Sequence, residues 1–408
     1  MSGPDKGAQT GLIMSGGGAR AAYQVGVLRA IARMLPQRSH NPFQIICGTS
    51  AGAINAASLA SNGDRFDRAV SHLARTWGNL HVGQVYRADL LGTARILARC
   101  LASVLTGRLH RHQPVSILDC APLGALLGRL IDFARIRHTI AAGHLSALCV
   151  TASSYTSGDS ISFFHGDGSH EPWRRARRVG RPAEIGLAHV LASCALPFAF
   201  PVVPIDGEHF GDGSMHQLAP ISAALHLGAQ RVLVIGVASA SRGERGAREP
   251  GVWPSLAQIA GHMLDAIFVD TLDMDLERLQ RINQTLASIP EEVRSRPGAA
   301  LRTIATLVIR PSEPVDEIAI AHADELPRAM WLLMRRIGGL EPNGARVLSY
   351  LLFERTYCRH LMRLGFSDAM AQRGRILEFL GHDTTYGERR DGTFSQQSAM
   401  VRSAVAQL

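Results

Sequence analysis

The chain is almost without lysine. Lys6 stands alone, so the net charge of +9 over 408 residues is carried by arginine. Beside so much alanine and glycine, this skew reads as coding-genome composition rather than a binding signature. What attraction it creates is for anionic surfaces, lipid head groups ahead of nucleic acid, and no nucleic-acid partner is expected. The six cysteines, Cys47, Cys100, Cys120, Cys149, Cys194 and Cys358, form no C-x-x-C pair and no regular framework. That argues against structural zinc and against a secreted disulfide scaffold. The first residues, "MSGPDKGAQTGLIMSGGG", contain no apolar core of signal-peptide length. Nowhere do about 18 apolar residues follow one another, so no transmembrane helix is expected. Internal repeats are also missing. The expectation is a cytoplasmic protein, touching the inner membrane face at most peripherally.

What remains is a globular composition, 46% hydrophobic and 19% charged. The length suggests about two to three domains. "TGLIMS" reads as a short buried strand and "ARAAYQVGVLRAIARML" as a helix, with Val25, Leu28, Ile31 and Leu35 at helical spacing. "FQIICG" is a second buried strand and "AGAINAASLAS" a second helix, closed by Asn62-Gly63. Strand, helix, strand, helix is the opening of a parallel sheet with packed helices. "FDRAVSHLARTW" is an amphipathic helix, and residues 90–109 form an apolar helix with arginines interspersed. Residues 145–166 read as two strands joined by "SGD", and "WRRARRVGRP" as a basic loop. Asp206-Gly207 marks a hairpin. "RVLVIGV" and "LRTIATLVIR" are further strands, the second expected to be the last of the sheet. "SRGERGAREPG" reads as a loop. From about residue 323 the chain reads as helices, including one through "ARVLSYLLFERTYCRHLMRLG". The organisation expected is a catalytic domain over 8–312, a helical region over 320–383 and a loose tail over 384–408.

The sharpest feature is "GTSAG" at 48–52, a G-x-S-x-G between a strand and a helix. A nucleophile on so tight a turn needs small neighbours, and Gly48 and Gly52 supply the space. Ser50 would present its hydroxyl at the positive end of the following helix. With 40 glycines in the chain the pattern alone is weak, and the flanking strand and helix are what give it meaning. A nucleophilic serine needs a base and an oxyanion site. None of the 17 histidines sits in an arguable setting; His209 and His216 merely flank a hairpin strand. "FGDGS" is the better candidate: it places Asp212 between two glycines at a strand end, where a second segment can approach. A partly buried carboxylate there could take the serine proton directly.

Three blocks in order, "GGGARAAYQVGVL", "GTSAGAINA" and "DGS" with the following "APISAALHLGAQRVLVIG", resemble the patatin-like phospholipases and lipid acyl hydrolases. The resemblance covers about residues 10 to 310. It implies a three-layer α/β/α sandwich with a mostly parallel central sheet, unlike the usual α/β-hydrolase, to which the helical C-terminal extension is added. It implies a Ser–Asp dyad of Ser50 as nucleophile and Asp212 as general base, no metal and no cofactor, and lipid esters as substrates. Gly16, Gly17, Gly18 and Ala51 would form the oxyanion hole. Arg20, Gly48, Gly52, Gly213 and Ser214 would support the motifs.

Two positions depart from the family pattern. Ala21 stands where a glycine usually follows the arginine, and Ser214 ends a block that is usually D-G-G or D-G-A. If position 21 needed a positive φ, alanine would be disfavoured there. Two other functions fit parts of the chain. An acyltransferase would use the same acyl-Ser50. A nucleotide- or phosphate-binding module could use the glycine loop, but Ala21 replaces the last glycine, no acidic residue lies near position 40, and no G-K-[ST] follows. A membrane contact is expected from 90–109 together with Arg174, Arg175, Arg177 and Arg178. The C-terminal helices are expected either to dimerise the chain or to cover the site; oligomeric state is not readable.

Overall fold

The computed structural model describes residues 9–87, 118–197, 199–217, 220–239, 253–294 and 302–382. The segment 90–109, the loop 241–251 and the tail 384–408 lie outside the described residues. Ten strands form one sheet. They are β1 (Thr10–Met14), β2 (Ile45–Thr49), β3 (Ala147–Ser154), β4 (Ser160–Gly166), β5 (Trp173–Arg175), β6 (Arg178–Pro182), β7 (Val203–Ile205), β8 (Glu208–Asp212), β9 (Arg231–Ile235) and β10 (Ala305–Ile309). Their order is β10-β9-β1-β2-β3-β4-β6-β5, with β8 pairing β3 and β7 pairing β8. The five strands from β10 to β3 are parallel to one another. Beyond them the sheet is mixed, because β4 and β8 both run antiparallel to β3.

Alternation along the strands divides the core. Leu12, Met14, Ile46, Leu148, Val150, Leu233 and Ile235 face one side. There they pack under helices α1 (Ala22–Met34), α2 (Ala51–Ala60) and α3 (Phe66–Trp77). Ile13, Ile45, Cys47, Cys149, Val232 and Val234 face the other side, against Ala223, Ala224, Leu272 and Leu279 from the helices Ser222–His226 and Thr271–Ala287. The result is helices, sheet, helices, the three layers expected. Both faces of β1 and β2 are covered, which is why those strands read as unbroken apolar runs.

The C-terminal helices belong to the first layer's core. The helix Arg355–Ala371 lies against α1 at backbone contact: a Cβ at Gly26 would stand 2.2 Å from the Met362 carbonyl oxygen, and one at Gly365 2.2 Å from that of Tyr23. Among the described residues, no helix is long and apolar enough to cross a membrane.

Two expectations are corrected, and the condition raised for position 21 does not arise. Residues 173–182 are not a loop but the hairpin β5–β6 on the sheet edge. Trp173 stacks on Phe164 at 5.3 Å, and Gly180 leaves room for its ring, so one aromatic anchors a stretch dominated by arginines. The helix expected through 345–365 is two, Ala345–Leu351 and Arg355–Ala371. Between them Glu354 turns away to accept the Val82 backbone N–H at 3.2 Å and to meet His81 Nδ1 at 2.9 Å. Ala21 has φ −65°, so the missing glycine costs no backbone strain there.

Candidate active site

The turn after β2 is tight. Ser50 has φ 54° and ψ −129°, a backbone conformation few side chains adopt. A Cβ at Gly48 would lie 2.4 Å from the Gly52 carbonyl oxygen, and one at Gly52 2.2 Å from that of Met14. The two glycines therefore let the turn fold onto itself and onto the end of β1. The Ser50 backbone N–H donates to Ser193 Oγ at 2.8 Å, and that hydroxyl donates to the Thr151 carbonyl at 2.6 Å. Ser193, from the helix Leu187–Ser193, thus ties the strained turn to β3. Ser193→Ala is expected to lower stability by about 1–3 kcal/mol, because it leaves a buried N–H without its acceptor. A thermal melt reads this, and kcat should fall with it as Ser50 loses its fixed position.

Asp212 ends β8 and is fully buried. It lies opposite Ala152 in β3, and its N–H donates to the Ala195 carbonyl at 2.8 Å. Oδ1 accepts the Ser214 N–H at 2.9 Å, so Ser214 holds the carboxylate through its backbone. Gly213 is required by contact, since a Cβ there would stand 2.0 Å from the Thr151 carbonyl oxygen. Oδ2 has no hydrogen-bond partner among the described residues. Burial pushes the carboxyl up to about 6, although the hydroxyl of Ser50 and the groups of Ser214 pull it down. Ser50 is therefore close enough to act on the carboxyl without a well-formed bond to it, a common state before substrate tightens such contacts.

The glycine loop after β1 divides its work. Gly18 has φ +54° and a Cβ there would stand 2.2 Å from the Tyr350 carbonyl oxygen. At Gly16 a Cβ would strike the Phe268 ring, and at Gly17 the Val237 side chain. The N–H groups of Gly16, Gly17, Gly18 and Ala51 have no acceptor among the described residues. Arg20 points away from this loop. Its Nε donates to Ser349 Oγ at 2.8 Å, its guanidinium lies 3.9 Å from the Tyr350 ring centre, and Nη1 is 3.6 Å from Asp265. Arg20 therefore supports the loop by binding the C-terminal helices.

Ser50, Asp212, Gly18 and Ala51 meet at one cavity. Gly16 and Gly17 are not among its lining residues. The remaining wall is mostly apolar, with Thr76 and Cys194 among Ile54, Trp77, Leu80 and Val85, Leu123, Leu126, Leu127 and Leu130 from the helix Ala121–Leu130, and Leu196, Phe200, Phe268, Tyr350, Leu351 and Phe353. Among the described residues no histidine lines it, and Asp212 is its one carboxylate. The C-terminal helices supply part of the wall, so they cover the site. A phosphate cradle is a poor description of this place, because the described lining is mostly hydrocarbon, its one charged group is a carboxylate, and Arg20 is engaged elsewhere.

Sequence reasoning missed Ser193, Phe268, Tyr350 and a buried amide chain. In that chain Gln24 donates to the Ser15 carbonyl at 2.8 Å, Asn55 donates to Gln24 at 2.9 Å, and Trp77 donates to Asn55 at 2.8 Å. The signal for Asn55 was present: a lone amide in the Ala-rich helix after the elbow.

These features define an α/β protein of the open-sheet type, with a serine on a strand-to-helix turn and a buried carboxylate beside it at an apolar cavity. The chain belongs to the patatin-like phospholipase family, whose sequence pattern matches residues 12–225. Membership makes lipid acyl hydrolysis its class of activity. The crystal structure of VipD from Legionella pneumophila is similar to 93% of this chain and 69% of its own, at 12% sequence identity and a TM-score of 0.38. No curated protein matches the chain in sequence.

Proposed function

We propose that the protein is a serine acyl hydrolase of phospholipid or related lipid esters, working through a Ser50–Asp212 dyad. The observation that carries this reading is the cavity itself, where the Ser50 hydroxyl and the buried Asp212 carboxylate open onto a mostly apolar wall. An acyl chain fits such a wall, since burying it gains about 0.8 kcal/mol per methylene. With the chain held there, the ester carbonyl is left at the polar end.

Asp212 takes the Ser50 proton as Oγ attacks the carbonyl carbon. The unbonded N–H groups of Gly18 and Ala51, both on the cavity wall, receive the negative oxygen that develops. Collapse of the tetrahedral species expels the alcohol, which leaves with the proton from Asp212, and an acyl-Ser50 remains. Asp212 then deprotonates a water, which attacks the acyl carbon. The fatty acid departs and Ser50 recovers its proton. The Ser214 N–H holds Oδ1 throughout, which leaves Oδ2 as the proton-carrying oxygen.

A fluorophosphonate probe tests the reading. It should modify Ser50, located by mass spectrometry of the digested chain, and should block turnover of a lipid ester in proportion. Labelling of another serine, or activity that survives full labelling of Ser50, sinks the proposal.

A further inference from the structure

Among the described residues, the three most exposed large apolar side chains lie on one short stretch, and a fourth exposed one shares it. Trp253 is 91% exposed, Leu256 70%, Met263 58% and Ile259 45%. Residues 256, 259 and 263 share one face of the helix Leu256–Asp265, while Ala257 and Gly261 turn inward. A solvated helix face ordinarily carries charge. Here no Asp, Glu, Lys or Arg occurs from Trp253 to Leu264. The pattern is inverted: the helix packs with small residues and shows large apolar ones to the outside.

The surroundings indicate what meets that face. The helix Arg328–Ile337 is its neighbour, and Gly338 at its end backs onto Ser255. This second helix exposes Leu332 and Leu333 together with Arg328, Arg335 and Arg336. Glu341 is the one acid in residues 328–344. An indole and long aliphatic side chains beside guanidinium groups are what an anionic lipid interface accepts: the apolar groups enter the acyl boundary and the cations stay with the head groups. By contrast, the arginines of the β5–β6 hairpin lie beside no such group of exposed aliphatics, and Arg174 pairs with Asp159 at 3.7 Å.

The face is also joined to the active site. The helix runs on into a π-helical turn, Ala266–Asp270, whose Phe268 lines the cavity, packs on Gly16 and lies 5.3 Å from the Tyr350 ring. Outer face and cavity wall are two sides of one helical segment. We propose that Trp253, Leu256, Ile259 and Met263, with Arg335 and Arg336 on the neighbouring helix, dock the protein on an anionic lipid surface, a choice of partner that rests on the lipid substrate proposed above.

The test separates docking from catalysis. The Ser50→Ala chain is sedimented with phosphatidylcholine vesicles with and without phosphatidylglycerol, so no hydrolysis alters them. Binding should be stronger on the anionic vesicles. Leu256→Glu, Ile259→Glu and Met263→Glu together should weaken it about tenfold or more. Arg335→Gln with Arg336→Gln should remove most of the anionic preference, a change of roughly threefold or more. With the intact Ser50, the triple variant should hydrolyse a soluble short-chain ester at the parent rate. Absent sedimentation of the parent, unchanged binding by the triple variant, or equal loss on the soluble ester each overturns the proposal. So does a dimer in sedimentation velocity that the triple variant dissociates, which would make the occupant a second copy. Should the triple variant melt early, Met263→Glu alone and the arginine pair decide. Failure of the fluorophosphonate experiment would leave vesicle binding intact and would be read separately.

Discussion

Ser50→Ala is expected to lower kcat for ester hydrolysis by a factor of about 10⁴ or more, because it removes the attacking hydroxyl itself. Cys194 is the nearest alternative in kind, but burial and the neighbouring Asp212 hold its thiol well above its ordinary range, so it stays protonated. The same position carries a second, opposite effect. At φ 54° and ψ −129° the Ser50 backbone is strained, a cost on the order of 1–3 kcal/mol that glycine would not bear. Part of that gain is lost to glycine's larger freedom when unfolded. Ser50→Gly should therefore be as inactive as Ser50→Ala yet more stable by about 1 kcal/mol. Equal melting temperatures for the two variants would show the turn to be unstrained.

Asp212→Asn should lower kcat by about 10²- to 10⁴-fold, the range set by losing a positioned proton acceptor. Its stability effect runs the other way. The ordinary aspartate value is 3.8, and burial raises this one to about 6 in the folded chain. Between those values the folded protein holds a proton that the unfolded chain has released. The contribution of Asp212 to stability is thus fully present below about 4 and is lost as pH rises through about 6. The cost at pH 7 is about 3 kcal/mol from the shift alone. The amide removes it: the Asn side-chain oxygen keeps the Ser214 N–H, and its nitrogen can donate to Ser50 Oγ. The variant should match the parent near pH 4 and exceed it at pH 7 in urea-unfolding titrations. Activity of the parent should rise along an acid limb centred near pH 6, since the base must be unprotonated. A limb near 4, or an Asn variant that loses ground as pH rises, would mean that the carboxyl is ordinary.

The parallel half of the sheet was legible because its strands are buried on both faces. Such strands announce themselves as short apolar runs, and "GLIM", "IICG" and "VLVI" do. Ser50 and Asp212 were legible because close packing leaves glycine on either side of each. What joins them to the rest of the molecule was not. Ser193 is an ordinary serine at a helix end until β3 brings Thr151 beneath it. Phe268 and Tyr350 belong to segments with no motif, and only the tertiary fold carries them to the cavity. The β5–β6 hairpin was hidden by its arginines, since alternation is hard to see where almost every outward and edge position has the same side chain. The break at 352–354 depends on Glu354 meeting His81 and Val82, a contact between positions 272 and 273 residues apart that no local pattern encodes.

The glycine loop does not hold its own shape; distant residues hold it. Gly18 rests against the Tyr350 carbonyl, and Arg20 is held by Ser349, 329 residues later. The loop therefore has its backing only where residues 349 and 350 are packed against it. The serine turn is braced by Met14, Thr151 and Ser193, whereas the donors opposite it lean on Ser349 and Tyr350. Loosening the helix Ala345–Leu351 would thus slacken the glycine loop without touching Ser50 or Asp212.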